Sequence, residues 1–362
     1  MHNQPVAKPL HADETLLTLQ AGRGIAALLV LLHHACNGVL RQGGTLPEWF
    51  VTLCGYGYLG VDFFFVLSGF IIYYVNQPRQ QQDGFAKDYI RSRLLRVYVP
   101  YLPLGILVGL AYLVLPQLAS GENQWGWLST LTLLPSAAYP ALAPAWTLQH
   151  EILFYGVALI AFTTRSFVRL SLVVLLAAVV VRIFFPMSYK GFGLIDLEFL
   201  FGIAAAWCFM NRRATWNAAL VVAGLAMCGL FFIVDSRLWS VIFGLGLALM
   251  LLPLVRAERA GLVKVGPVLL LLGEASYSIY LVHYPLVAGI ARLITGYGSV
   301  LSFTLICMVS IAVGIAYHKI YERPALGWLR RRGSRFRDVR STEPGTARLS
   351  SSPPKADDPL RS

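Results

Sequence analysis

The chain has 362 residues, 57% of them hydrophobic and only 13% charged, with a formal net charge of +12. Soluble domains are about 25% charged, so this composition excludes an ordinary water-soluble globule. Apolar runs of about 20 residues recur along the chain, as spanning helices require, and they are too long and too uniform for the strands of a barrel, the other structure lipid admits.

The expected fold is therefore all-α: a polytopic membrane helical bundle of about ten transmembrane helices, occupying residues 17–324 as one domain. Residues 1–16 form a polar tail, and residues 325–362 a basic tail, rich in Ser and Pro toward its end, of the composition that stays disordered and touches anionic headgroups. The segments expected to span lie near 17–39, 55–76, 97–116, 146–164, 170–187, 194–210, 215–234, 239–255, 266–294 and 300–321. The first of them is not followed by a small-residue cleavage site, so a cleavable signal peptide is not expected. An even number of spans puts both termini on one side. That side carries 23 Lys and Arg against four (Arg41, Arg182, Lys190 and Arg237) on the other. The positive-inside rule then places both termini in the cytoplasm. Nucleic acid is not expected as a partner because no folded module carries the positive charge. Cys36, Cys54, Cys208, Cys228 and Cys307 have no metal-binding spacing, and no metal is expected. Cys36 and Cys54 fall near the same membrane face, where a bridge is possible.

The first span holds Arg23 and, eleven positions later, His34. An arginine at bilayer depth costs about 2.5–3.5 kcal/mol on insertion scales, so its retention is a functional signal. Eleven residues of helix rise about 16 Å, roughly half the hydrocarbon core. Sorted by depth, the polar residues form two layers. His34, Asp62, Glu151 and His283 lie in the outer layer. Arg23 lies in the inner one, with Arg93 and Arg96 at the cytoplasmic mouth of the third span. A histidine with a carboxylate beside it suits general base chemistry, and clustered arginines suit a phosphorylated ligand. A plainer account makes the arginines topology anchors, the carboxylates ion-pair partners and His33 an interhelical hydrogen-bonding group.

Six sequence elements in order resemble the acyltransferase 3 family of integral-membrane acyltransferases, across residues 19–324. They are Arg23 with His34, the block Gly60 to Phe70, Arg93-Leu-Leu-Arg96, the block Trp146 to Tyr155, the block Gly273 to His283, and Glu322-Arg323-Pro324. The opening LQAGRGIAALLVLLHH looks most like the exopolysaccharide-type O-acetyltransferases. The resemblance implies a bacterial inner-membrane enzyme. It would move an acetyl group from acetyl-CoA to a hydroxyl of a glycan or undecaprenyl-linked sugar, among membrane lipid and polysaccharide assembly proteins. On this basis Arg23, Arg93 and Arg96 are expected to hold the CoA phosphates. His34 is expected to act as base, oriented by Asp62 or Glu151. Ser68, Ser276, Tyr277, His283 and Trp146 are candidates for contact with the substrate or its oxyanion. Two departures stand out: a second histidine, His33, adjoins His34, and His150 interrupts the Trp146 element. Neighbours on a helix point about 100° apart, so both histidines cannot serve one site. A transporter of a polar lipid or sugar, and a non-catalytic subunit of a polysaccharide synthase, are the alternatives from other classes.

Overall fold

The computed structural model describes residues 16–119, 124–164, 193–211, 217–233, 239–294, 296 and 298–341, together with 166, 167, 169, 171–173, 176, 177 and 180. Among these residues the chain is helical, apart from turns and an isolated parallel bridge between Trp125 and Tyr139. The α-helices are α1 (Leu17–Arg41), α2 (Glu48–Gly55), α3 (Gly60–Asn76), α4 (Phe85–Val114), α5 (Trp127–Thr132), α6 (Trp146–Thr163), α7 (Leu197–Met210), α8 (Asn217–Phe231), α9 (Trp239–Arg259), α10 (Pro267–Leu293), α11 (Ser299–Tyr317) and α12 (Arg323–Ser341).

Six segments among the described residues are long and apolar enough to cross a membrane: Leu17–Arg41, Glu48–Arg79, Phe85–Val114, Ala143–Thr163, Val241–Arg259 and Ser299–Arg332. Asn217–Phe231 is apolar but shorter. Helix α10 has the length to span but interrupts its apolar sequence with Glu274, His283 and Arg292. The expected span at 170–187 lies largely outside the described residues. The protein is a helical membrane protein.

Helix boundaries depart from expectation at two informative places. The third span, expected from residue 97, sits in a helix that begins at Phe85, just after Gly84 adopts φ +76°. Arg93 and Arg96 therefore lie two to three turns inside a continuous helix rather than at a loop edge. Pro100 and Pro103 stand within α4, in a membrane segment where neighbouring helices can satisfy the freed carbonyls. Tyr321 does so for Pro103, its hydroxyl donating at 3.2 Å to the carbonyl of Val99, four residues before that proline. At the other end of the chain, the expected tail boundary at 325 falls inside α12. A five-residue π-helical turn, His318–Glu322, joins α11 to that helix. Such bulges re-aim side chains and recur at functional sites.

Helix α1 is gripped on two sides. Helices α10 and α11 pack along one side, and the turn Tyr56–Leu59 and α3 along the other. A side chain at Gly273 would put its Cβ 2.1 Å from the carbonyl of Gln20, and one at Gly57 would put it 2.2 Å from that of Leu29. The backbones therefore touch directly, as small residues permit in membranes. Helix α3 packs in turn on α7, and Phe199 of α7 stacks on Phe154 of α6 at 4.0 Å between ring centroids.

One end of the bundle gathers the start of α1, the ends of α3 and α9, the start of α4, and α12. Glu258 accepts hydrogen bonds from the backbone of Leu17 and Thr18. Arg259 donates to the Tyr74 hydroxyl, and Arg91 to the carbonyl of Leu329. This basic end lies opposite Thr45, whose amide donates to Ser299 at the start of α11. Gly273→Val should force α1 off α10, an overpacking change that costs about 1–3 kcal/mol or more. The check is thermal unfolding of the detergent-purified protein, where a clearly lowered midpoint is expected.

Candidate active site

A cavity of about 220 Å³ opens between α1, α3, α4, α6 and α10, lined by Arg23, Ser68, Arg93, Arg96, Thr147, Glu151, Tyr155, Tyr277 and Tyr280 among others, with Arg330 of α12 beside them. Six expected site residues thus meet here: Arg23, Ser68, Arg93, Arg96, Glu151 and Tyr277. The aromatic rings are positioned by the same helices that supply the charges. Arg93 lies over the rings of Tyr89 and Tyr155, 5.7 and 5.8 Å from their centroids, and Arg96 lies 5.5 Å from that of Tyr277. Cation–π contact of this kind orients a guanidinium while leaving its N–H groups available. The Nε of Arg93 is buried without a hydrogen-bond partner. Arg23 forms no ion pair among the described residues.

Arg96 does have an anionic partner. Its Nη1 lies 3.2 Å from Glu322, on the π-helical turn. Glu322 is buried and also accepts from Ser278 Oγ at 2.6 Å and from His318 Nδ1 at 2.9 Å. Glu322, although next to Arg323 in sequence, turns inward to hold Arg96.

Glu151 corrects the depth assignment. It belongs with the arginines, not with His34: it lines the same cavity as Arg23, accepts a very short hydrogen bond from Tyr155 and one from Ser68 at 3.4 Å. Asp62 is also apart from His34. It is buried near Glu198 of α7, whose two carboxyl oxygens are themselves buried without a hydrogen-bond partner. Neither carboxylate therefore orients the imidazole. Backbone does: His34 Nδ1 lies 2.9 Å from the carbonyl of Val30, one turn earlier in α1. That bond places the proton on Nδ1 and leaves Nε2 as a lone-pair acceptor.

His283 is built the same way, with Nδ1 at 2.6 Å from the Tyr280 carbonyl and a buried Nε2 that has no partner. The two imidazoles face each other at 5.0 Å between centroids, and Tyr284 packs 5.3 Å from His34. His33 differs in kind. Its Nδ1 bonds the carbonyl of Cys54 and its Nε2 the amide of Asn37, both at 3.1 Å, so neither nitrogen is free. The adjacent thiols of Cys36 and Cys54 lie within hydrogen-bonding reach and are unbridged.

The imidazole pair stands just beyond the cavity. Tyr280 is the shared wall: its hydroxyl meets that of Thr147 at 2.9 Å, its ring lies 5.8 Å from Phe64, and the same ring lies 5.5 Å from His283. Of the other expected residues, Ser276 is buried off the cavity and donates to the Gly273 carbonyl at 2.8 Å. Trp146 packs edge-on against His150, 5.7 Å between centroids. His150 itself bonds Asp196 at 2.9 Å in the buried interior, a structural pair at the base of α7. Tyr280, Thr147, Glu198 and Arg330 were not singled out from the sequence. Glu198 alone carried a readable signal, as an acid in an apolar span.

The chain is an acyltransferase by family: the acyltransferase domain family Acyl_transf_3 matches residues 16–319, and the chain belongs to it. Among curated proteins it is similar to the exopolysaccharide production protein ExoZ of Rhizobium meliloti (strain 1021), 28% identical over 292 residues that cover 75% of this chain and 90% of that protein. It is also similar to BcsY of Komagataeibacter xylinus, which carries the name of a membrane-bound transacylase, 28% identical over 297 residues covering 73% of this chain and 70% of that one. No solved structure matches the chain.

Because Glu322 holds Arg96, His318 and Ser278 together, Glu322→Ala should cost about 1–3 kcal/mol, the range of hydrogen bonds to a charged group. A lowered unfolding midpoint checks it. An unchanged midpoint would mean that the π-helical turn is held by the backbone alone.

Proposed function

We propose that this protein is a polysaccharide O-acyltransferase of the bacterial inner membrane, with both termini cytoplasmic. It transfers an acetyl group from acetyl-CoA to a hydroxyl of a lipid-linked exopolysaccharide unit. The observation that carries this reading is a division of labour across one side chain. Arg23 and Arg93, neither in an ion pair among the described residues, open with Arg96 into a cavity, and the far wall of that cavity, Tyr280, rests on His283 beside His34. The positive-inside rule assigns the basic end to the cytoplasm, so the cavity faces the compartment that holds acyl-CoA. The similarity to ExoZ supports an exopolysaccharide acceptor.

In this reading Arg93 and Arg96, with Arg23 deeper, bind the donor's phosphates. The extended thiol arm lies along the Tyr155, Tyr277 and Tyr280 side of the cavity, and a shift of the Tyr280 ring brings the thioester to the imidazoles. The acceptor hydroxyl gives its proton to His34 Nε2 as its oxygen attacks the thioester carbonyl. The tetrahedral intermediate then expels the thiolate, which takes that proton from the imidazolium. The products are an ester and free CoA. His34 suits the base role because its proton on Nδ1 is engaged and its Nε2 is not. His33, bonded at both nitrogens, tethers α1 to the turn after α2.

His34→Ala, at wild-type protein level, should lower the acetyl content of the host glycan by about 10²-fold or more, while His33→Ala retains activity within a few-fold. Full acetylation in the His34 variant would remove it as the base. Arg93→Ala with Arg96→Ala should weaken CoA binding by about tenfold or more, since each charge-assisted bond is worth about 1.5–3 kcal/mol. Turnover of acetyl-CoA by the purified protein separates group transfer from transport.

A further inference from the structure

A second compartment of about 260 Å³ adjoins the arginine cavity at the basic end, and Ser92 and Arg330 wall both. Its chemistry differs from that of its neighbour. Arg79, Arg91 and Arg330 supply three cations against Asp83 and Asp88; Asn76 and Gln82 add amides, and Phe85 and Tyr89 add rings. The site is built by docking of α12 on α4: Arg91 Nη2 donates to the Leu329 carbonyl at 2.8 Å, which sets Arg330 at the junction of the two spaces.

A compartment for a simple anion needs guanidinium groups and little else. Amides, carboxylates and aromatic faces beside them fit a nucleoside as well: carboxylate and amide acceptors for ribose hydroxyls and an exocyclic amine, a ring for the base to stack on, and a cation for a ribose phosphate. The order along the path is also that of an extended nucleotide thioester. Its thiol arm would lie deepest, its diphosphate at Arg93 and Arg96, and its nucleoside outermost.

Accordingly, we propose that this second compartment seats the adenosine 3′-phosphate end of the acyl donor, with Arg330 of α12 binding the 3′-phosphate. The proposal rests on the reading that the donor is a coenzyme A thioester. It gives α12, a helix beyond the matched family domain, a part in substrate recognition.

The test is calorimetric titration of the full chain in detergent with CoA, 3′-dephospho-CoA and 4′-phosphopantetheine, comparing wild type with Arg330→Ala and Phe85→Ala. Wild type should prefer CoA over 3′-dephospho-CoA by about tenfold, as expected for one charge-assisted contact. In Arg330→Ala that preference should fall to near unity, with affinity for the other two ligands unchanged. Phe85→Ala should weaken both nucleotides but not 4′-phosphopantetheine. A preference that survives in Arg330→Ala overturns the assignment and leaves the donor reading intact, as does an equal loss for all three ligands or a wild type that does not distinguish the two nucleotides. Failure of wild type to bind CoA at all overturns the donor reading itself.

Discussion

Helix α1 is fixed by backbone contact on opposite sides, and the chemistry of the molecule is arranged around that grip. Direct contact through Gly273 and Gly57 leaves α1 no freedom to rotate, because a turn of even a few tens of degrees would drive carbonyls into neighbouring backbone. With its rotation set, Arg23 can only open toward α4 and α6, and His34 only toward α10. A looser helix could turn the same two residues toward several different neighbours. The close contact also orders the partners, since Tyr277, Tyr280 and His283 share α10 with Gly273 and are carried to α1 with it.

The second theme is how charge is tolerated where water is scarce. Arg96 is neutralised by a carboxylate that reaches in from a π-helical turn, and Glu151 is satisfied by hydroxyls. Arg23 and Arg93 receive instead rings, nearby charge and an open cavity, and this incomplete pairing is what an anionic ligand can exploit. The imidazoles are treated oppositely. Each spends one nitrogen on the carbonyl of a residue one turn earlier and keeps the other bare. Structural polar groups elsewhere, such as the His150–Asp196 pair, are closed on themselves.

Much of this was legible in the sequence. The periodic apolar runs marked most of the helices, and the motif blocks carried the residues of the cavity. What depth along a helix could not supply was direction around it. Glu151 and His34 were assigned to one layer, yet α6 turns the carboxylate toward Ser68, Tyr155 and the arginine cavity rather than toward His34. The extension of α4 before residue 97 was hidden for a related reason. The run KDYIRSRLLR looks like a solvated connection because its charges are dense. It is helical because one side carries the cavity arginines while Arg91 docks α12. Orientation of the imidazole was invisible for a simpler reason: its partner is a backbone carbonyl, which every residue type possesses.

The Tyr280 wall has a consequence for the cell that hosts this protein. A membrane under load stores about 2.3 kcal/mol for every elementary charge per 100 mV. Any continuous wet path through a bundle this rich in arginine and histidine would let ions or protons drain that store. The cavity lining stops at Phe64, Thr147 and Tyr280, and the imidazole pair lies on the other side. Tyr280, with Phe64 and Thr147, therefore stands between the arginine cavity and the imidazoles. Under the proposed function, a passage wide enough for an acyl group would open briefly and be filled by the group itself, so that turnover does not become leakage.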